Sequence, residues 1–173
     1  NAESLLYYPD FRANERAFAM MTQVAGRAGR RNKRGKVFIQ TTDIENDVLQ
    51  FLLKDDVDAF IINELQTRKL FHYPPFFRLI RIDVKSANRH LAEQKCLQLA
   101  KDLAKLDKFE ILGPELAVIS RVKGQYIVQI LLKFDKARCK MKEIKHKIHD
   151  LVKSRKKEFE KGNIRCNIDV DPF

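Results

Sequence analysis

Gln23-Val24-Ala25-Gly26-Arg27-Ala28-Gly29-Arg30 is the stretch whose residue types and spacing best suit chemistry. Two arginines three residues apart can project toward one target, and the glycines let that target approach the backbone closely. A guanidinium stays charged and donates in a planar fork, which suits phosphate oxygens. Phosphoryl transfer needs such charge as the bond to the γ-phosphate breaks. The plain alternative is a helix C-terminus whose arginines complement its dipole, and a lone RxxR would be read that way.

Neighbouring elements must hold this octet. Ala13 to about Ala28 has helical periodicity, with Phe18, Met21 and Ala25 on one face. Gly26, Gly29 and Gly35 then fall among Arg27, Arg30, Arg31, Lys33 and Arg34, which predicts a helix running into a basic loop. Lys36 to Thr41 is rich in β-branched and aromatic residues and predicts a short strand. Asn46 to about Lys54 and Asp58 to about Phe71 predict two helices, the second with Ile61, Leu65 and Lys69 at helical spacing. His72-Tyr73-Pro74-Pro75-Phe76 ends that pattern, because two prolines remove backbone donors and force the preceding residue out of helical space. The expected domains are therefore 1–71 and 72–173.

The second half alternates clearly. Ile80, Ile82 and Val84 share one strand face, and Ala92, Cys96, Leu99, Leu103 and Leu106 form a helical stripe. Phe109 to Leu112 predicts a short strand, and Leu116 to Val122 and Gln125 to Phe134 flank the hairpin signal Lys123-Gly124. A long helix from about Lys136 to Phe159 and a strand from Ile164 to Val170 complete the pattern. The order β-α-β-β-α-β is that of a ferredoxin-like split βαβ sandwich, in the α+β class.

The 173 residues carry a net charge of +11, which points to a polyanionic partner, with nucleic acid ahead of anionic membrane. Lys136 to Lys161 holds eleven Lys/Arg against four Asp/Glu. Lys140, Lys142, Lys145, Lys147, Lys153, Arg155, Lys156 and Lys157 are the candidates for DNA phosphates, against the plain reading of a solvated helix face. No apolar run approaches the ~18 residues of a membrane span, and no signal peptide is visible at Asn1 to Tyr8. Cys96, Cys139 and Cys166 form neither a disulfide framework nor a zinc pattern, which suits a reducing cytoplasm. His146 and His149 lack the accompanying ligands of a metal site, and Asp169 and Asp171 read as strand-end residues. Tyr73 and Phe76, beside the double proline, read as packing residues before base-stacking ones.

The octet, as QxxGRxGR, resembles the sixth motif of superfamily 2 helicases. Together with Tyr8-Pro9-Asp10-Phe11-Arg12-Ala13 and Glu15-Arg16, it resembles the bacterial replication-restart helicases of the primosomal protein N-prime family. Val37-Phe38-Ile39-Gln40-Thr41, Tyr73-Pro74-Pro75-Phe76, Leu112-Gly113-Pro114 and Ile168-Asp169-Val170-Asp171-Pro172 resemble that family in the same order, so the resemblance runs along essentially the whole chain.

The resemblance implies the end of a RecA-like second motor lobe followed by a C-terminal domain. It implies that Arg27 and Arg30 reach the γ-phosphate of ATP, with Arg30 as arginine finger, Gln23 coupling the ATP and DNA sites, and Gly26 and Gly29 in the ATP-facing loop. ATP, magnesium and zinc are the cofactors it implies for the complete protein. Forked and single-stranded DNA, single-stranded DNA-binding protein and other primosome proteins are the implied partners, and no membrane. An arginine early in the last helix helps such relatives receive the acidic tail of single-stranded DNA-binding protein. Here Ala137 stands at the matching position and Arg138 beside it is the candidate. The chain has no GxxxxGK[ST] phosphate loop and no zinc-binding cysteine cluster. It is thus expected to be a fragment that cannot hydrolyse ATP alone. The rival expectation is a non-enzymatic ferredoxin-like module that binds RNA or protein.

Overall fold

A computed structural model describes residues 3–28, 36–106, 108–137 and 140–172. The chain divides into two compact units, Asn1–Phe71 and His72–Phe173.

The first unit contains α1 (Glu3–Leu6), α2 (Ala13–Ala28), α3 (Asp47–Lys54) and α4 (Val57–Leu70). Asn46 caps α3 by accepting from the Val48 N–H, and Asp56 caps α4 by accepting from the Ala59 N–H. Leu6, Ala17, Phe18, Met21, Val48, Leu49 and Phe60 form its core. The Phe18 and Phe60 rings stack at 4.1 Å, and Phe51 meets Phe60 edge-on at 6.1 Å. This choice of face leaves Ile61 and Leu65 of α4 exposed, while Phe60 and Glu64 are buried.

The expected strand at Lys36–Thr41 does not form; those residues have no regular structure, and the Phe38 side chain is 90% exposed. A strand satisfies its backbone groups only through a neighbour, and among the described residues no strand lies in this unit.

The second unit contains β1 (Phe77–Ser86), α5 (Arg89–Ala104), β2 (Glu110–Val122), β3 (Gln125–Asp135), α6 (Met141–Ser154), α7 (Lys156–Lys161) and β4 (Arg165–Val170). The strands form one antiparallel sheet in the order β2-β3-β1-β4, the ferredoxin-like arrangement. Ile80, Ile82 and Val84 of β1 lie opposite Leu132, Ile130 and Val128 of β3. These residues pack with Ala92, Cys96, Leu99 and Leu103 of α5 and Ile144 and Ile148 of α6. Burial raises the thiol of Cys96 in the core to about 12 and that of the partly buried Cys166 to about 11, which disfavours the thiolate in both.

Two details differ from the sequence pattern. Phe109–Leu112 and Leu116–Val122 belong to one edge strand, β2, whose register shifts between Leu112 and Glu115 around Gly113-Pro114. An edge can carry a proline because its outer N–H has no ladder partner. The long final helix starts later, at Met141, and breaks at Arg155 (φ −90°, ψ −1°). The Ser154 hydroxyl donates to the Leu151 carbonyl at 2.7 Å, and the Arg155 N–H bonds to Val152 instead. Such side-chain competition for a helix carbonyl loosens the turn.

Candidate functional site

The motif helix α2 is fixed along one side. Ala13, Ala17, Phe18 and Met21 are buried. Asn14 donates to Glu64 at 3.0 Å, and Arg68 reaches Glu15 at 2.7 Å and Glu64 at 3.7 Å. Arg16 meets the buried Asp10 carboxylate at 2.6 Å, which anchors the chain entering the helix. Beyond Met21 every residue from Thr22 to Arg27 is exposed, and Gln23 and Arg27, four residues apart, share one face of that exposed stretch. Ala25 is exposed as well, since the buried stripe ends at Met21.

A Cβ added at Gly26 would meet nothing within 4 Å. Packing inside this unit therefore does not require the glycine, and open space lies above it. Arg27 is exposed and has no acid partner among the described residues, which suits it to an anion from outside the unit. Gly29 and Arg30 lie outside the described residues. Among the described residues no group of three or more His, Cys, Asp or Glu could hold a metal ion. The described part of this helix thus offers an exposed positive charge beside an uncrowded backbone.

The second basic surface is α6 with α7. Ile144, Ile148 and Phe159 are buried and anchor it to the sheet. The eight candidate cations separate by environment. Arg155 is half-buried, pairing with Asp102 of α5 and, at 3.1 Å, with Glu158, which also receives Lys95. Hydrogen bonds from Lys105 and Arg155 hold the Asp102 carboxyl below its usual range, and one from Lys95 does so for Glu158. Lys140 lies 3.6 Å from Glu143 and Lys156 lies 3.8 Å from Glu160. Lys142, Lys145, Lys147, Lys153 and Lys157 are exposed without an acid partner among the described residues. Arg138 lies outside the described residues. His146 and His149 are exposed on α6.

The family profile described as primosomal protein N C-terminal domain matches residues 69–173. The chain belongs to this primosomal family. It is 31% identical to the replication restart protein PriA of Bacillus subtilis, over 100% of this chain and 21% of the relative. It is 35% identical to the protein of that name from Synechocystis, over 99% of this chain and 20% of the relative. With the Haemophilus influenzae protein the figures are 34%, 99% and 23%. The chain therefore spans about a fifth of the length of the curated relatives it matches, as a C-terminal part of a PriA protein.

In this primosomal domain the open sheet face holds a cluster that alternation alone does not reveal. Lys133 falls on the outer face of β3, yet it is only 5% exposed because its ammonium sits 3.9 Å from the centre of the Tyr73 ring. Burial pushes the Lys133 pKa down, and Glu110 across the ladder partly offsets this. Glu110 also meets His72 Nδ1 at 2.8 Å, and the His72 ring stacks on Phe77 at 4.3 Å. The Tyr73 ring is thus engaged by Lys133. Asp169 and Asp171 pair with Arg81 and Arg78 of the neighbouring strand, as a ladder of ion pairs. No helix among the described residues is long and apolar enough to cross a membrane.

Proposed function

We propose that this chain is the C-terminal part of an ATP-dependent DNA helicase that restarts replication at stalled or abandoned forks by assembling the primosome, unwinding 3′ to 5′. The observation that carries the reading is the outward pairing of Gln23 and Arg27 around the uncrowded Gly26 on α2. The non-enzymatic alternative leaves Arg27, exposed and without an acid partner among the described residues, with no anion to meet. The likeness to proteins named replication restart protein PriA supports it.

In the complete protein Arg27 and Arg30 would face the γ-phosphate, with Arg30 as the finger and Gln23 relaying between the ATP and DNA sites. ATP supplies the phosphoryl chemistry, and magnesium and zinc would be held by residues outside this chain. Alone, these residues would not hydrolyse ATP. The exposed lysines of α6 would contact forked or single-stranded DNA, and Arg138 would receive the tail of single-stranded DNA-binding protein. The working compartment is the bacterial cytoplasm, at the nucleoid.

The test is Arg30→Ala in the complete protein. DNA-stimulated ATPase activity should fall by ~10³-fold or more, with an unchanged circular dichroism spectrum. Near-normal turnover would refute the assignment.

A further inference from the structure

Phe60, Glu64 and Arg68, each four residues from the next, form one row along α4 and meet the start of the motif helix and the turn before it. Phe60 stacks on Phe18, Glu64 accepts from Asn14 at 3.0 Å, and the Arg68 guanidinium lies 5.3 Å from the Phe11 ring centre. One terminal nitrogen of Arg68 also reaches Glu15 at 2.7 Å, while its Nε lies 3.7 Å from Glu64. The Arg68 side chain is 16% exposed and Glu64 is buried, whereas the Glu15 carboxylate is half-exposed. The Arg68 Nε is buried without a hydrogen-bond partner among the described residues. An unpaired buried donor costs stability rather than adding to it, so stability alone does not account for Arg68 bridging two carboxylates.

We infer that Arg68 is a positioning residue for the motif: it fixes the rotation of α2 about its axis, and thereby the direction in which Gln23 and Arg27 project. The inference rests on the ATPase reading above. Thr22 to Arg27 are all exposed, so within this unit the motif end of α2 is aimed from its other end. Gln23 and Arg27 lie eight and twelve residues beyond Glu15, about 12 and 18 Å along the axis at the α-helical rise. Over such a length a helix turns as one body. Ten degrees of rotation, taken as about the tolerance of a working site, moves a side-chain tip at the ~5–6 Å outer radius by about 1 Å. A misplacement of that size can cost ~10²-fold in rate. The apolar contacts of Ala17, Phe18 and Met21 are not directional, whereas charge-assisted hydrogen bonds are. Arg68 presents different nitrogens of one planar fork to Glu15 on α2 and to Glu64 on its own helix. A lysine there would offer a single rotatable point charge instead.

The experiment is steady-state kinetics of DNA-stimulated ATP hydrolysis by the complete protein carrying Arg68→Lys, Glu15→Ala or both, with a thermal melt of each. Arg68→Lys should lower kcat about tenfold or more and leave the KM for ATP unchanged, the signature of an interaction made only in the transition state. Lysine keeps a positive charge beside the buried Glu64, so a residue that merely stabilised the fold by its charge would be rescued by it. Glu15→Ala removes a half-exposed carboxylate, so its melt should stay unchanged while kcat falls in the same way. The double variant should be no slower than Arg68→Lys alone, since both substitutions break one tie. Normal kcat in folded Arg68→Lys and Glu15→Ala, or a raised KM at normal kcat, would overturn the positioning role. Losses that multiply in the double variant would overturn it too. If Arg68→Lys does not fold, Glu15→Ala decides. Arg30→Ala separates this inference from the reading beneath it. Abolished turnover there with normal turnover in Glu15→Ala strikes only the role of Arg68, whereas near-normal turnover in Arg30→Ala removes the motif reading and this inference with it.

Discussion

The rings of Phe18 in α2 and Phe60 in α4 lie 4.1 Å apart and within 6° of parallel. This stack ties the motif helix to α4, beside Ala17 and Met21 in the same core. Phe60→Ala should remove about 3 kcal/mol, read as a ~10²-fold loss of hydrogen-exchange protection in peptides of α2 and α4. Peptides from residues 72–173 should keep their rates. Unchanged exchange in α2 would mean that Asn14, Glu15 and Glu64 hold the helix without the aromatic stack.

Gly113 has φ +91°, and a Cβ there would stand 2.7 Å from the Gln129 carbonyl oxygen of β3. Both the backbone angle and the closeness of the next strand therefore exclude a side chain. Gly113→Ala should cost about 2 kcal/mol or more and lower the urea midpoint of the second unit. Gly124→Ala is the informative partner. Gly124 also has positive φ (+77°) but nothing stands within 4 Å of its Cβ, so the smaller loss there isolates the backbone contribution.

Asp102 and Glu158 have folded-state pKa values below their ordinary ones, through hydrogen bonds to Lys105 and Arg155 and to Lys95. A depressed carboxyl pKa stabilises the fold above the unfolded pKa, and that contribution is lost as pH falls through the folded one. The melting temperature of the chain should therefore drop as pH is lowered through the acid range, beginning near the ordinary values of 3.8 and 4.5. Arg155→Met should lower the melting temperature at neutral pH and flatten this acid limb. An identical acid limb in the variant would show that other carboxylates govern it.

Much of the second unit was legible because its signals are local. Lys123 and Gly124 both take positive φ, as a two-residue hairpin turn demands, and the stripe Ala92, Cys96, Leu99 and Leu103 is the buried face of α5. One misreading and one feature the sequence did not show have non-local causes. Lys36–Thr41 has strand-like residues but no strand beside it among the described residues, and Lys133 is covered by Tyr73, sixty residues earlier. At the candidate site, the periodicity of Phe18 and Met21 marked the buried stripe of α2, but it did not show that the stripe stops before Ala25 and leaves all of Thr22 to Arg27 exposed. Nor did periodicity show which cations of α6 and α7 are free, because Arg155 is claimed by Asp102, fifty-three residues away in sequence. At the break between α6 and α7 the Ser154 hydroxyl donates to the Leu151 carbonyl, a choice among hydrogen bonds that apolar periodicity does not encode.

Gly26 separates a structural reason for glycine from a functional one. It lies in α2 with nothing within 4 Å of its Cβ position, and a helical glycine is less stable than alanine by roughly 0.5–1 kcal/mol. Gly26→Ala should thus stabilise the isolated 173-residue chain by about that amount in a thermal or urea titration. If the motif faces ATP in the complete protein, the added methyl meets the approaching nucleotide or the opposing lobe, and DNA-stimulated ATPase activity should fall at least tenfold. A variant that is more stable and fully active would leave the glycine without a role in the ATPase site. A variant that is more stable and inactive would place the reason for Gly26 outside its own fold, where the proposed motor site requires it.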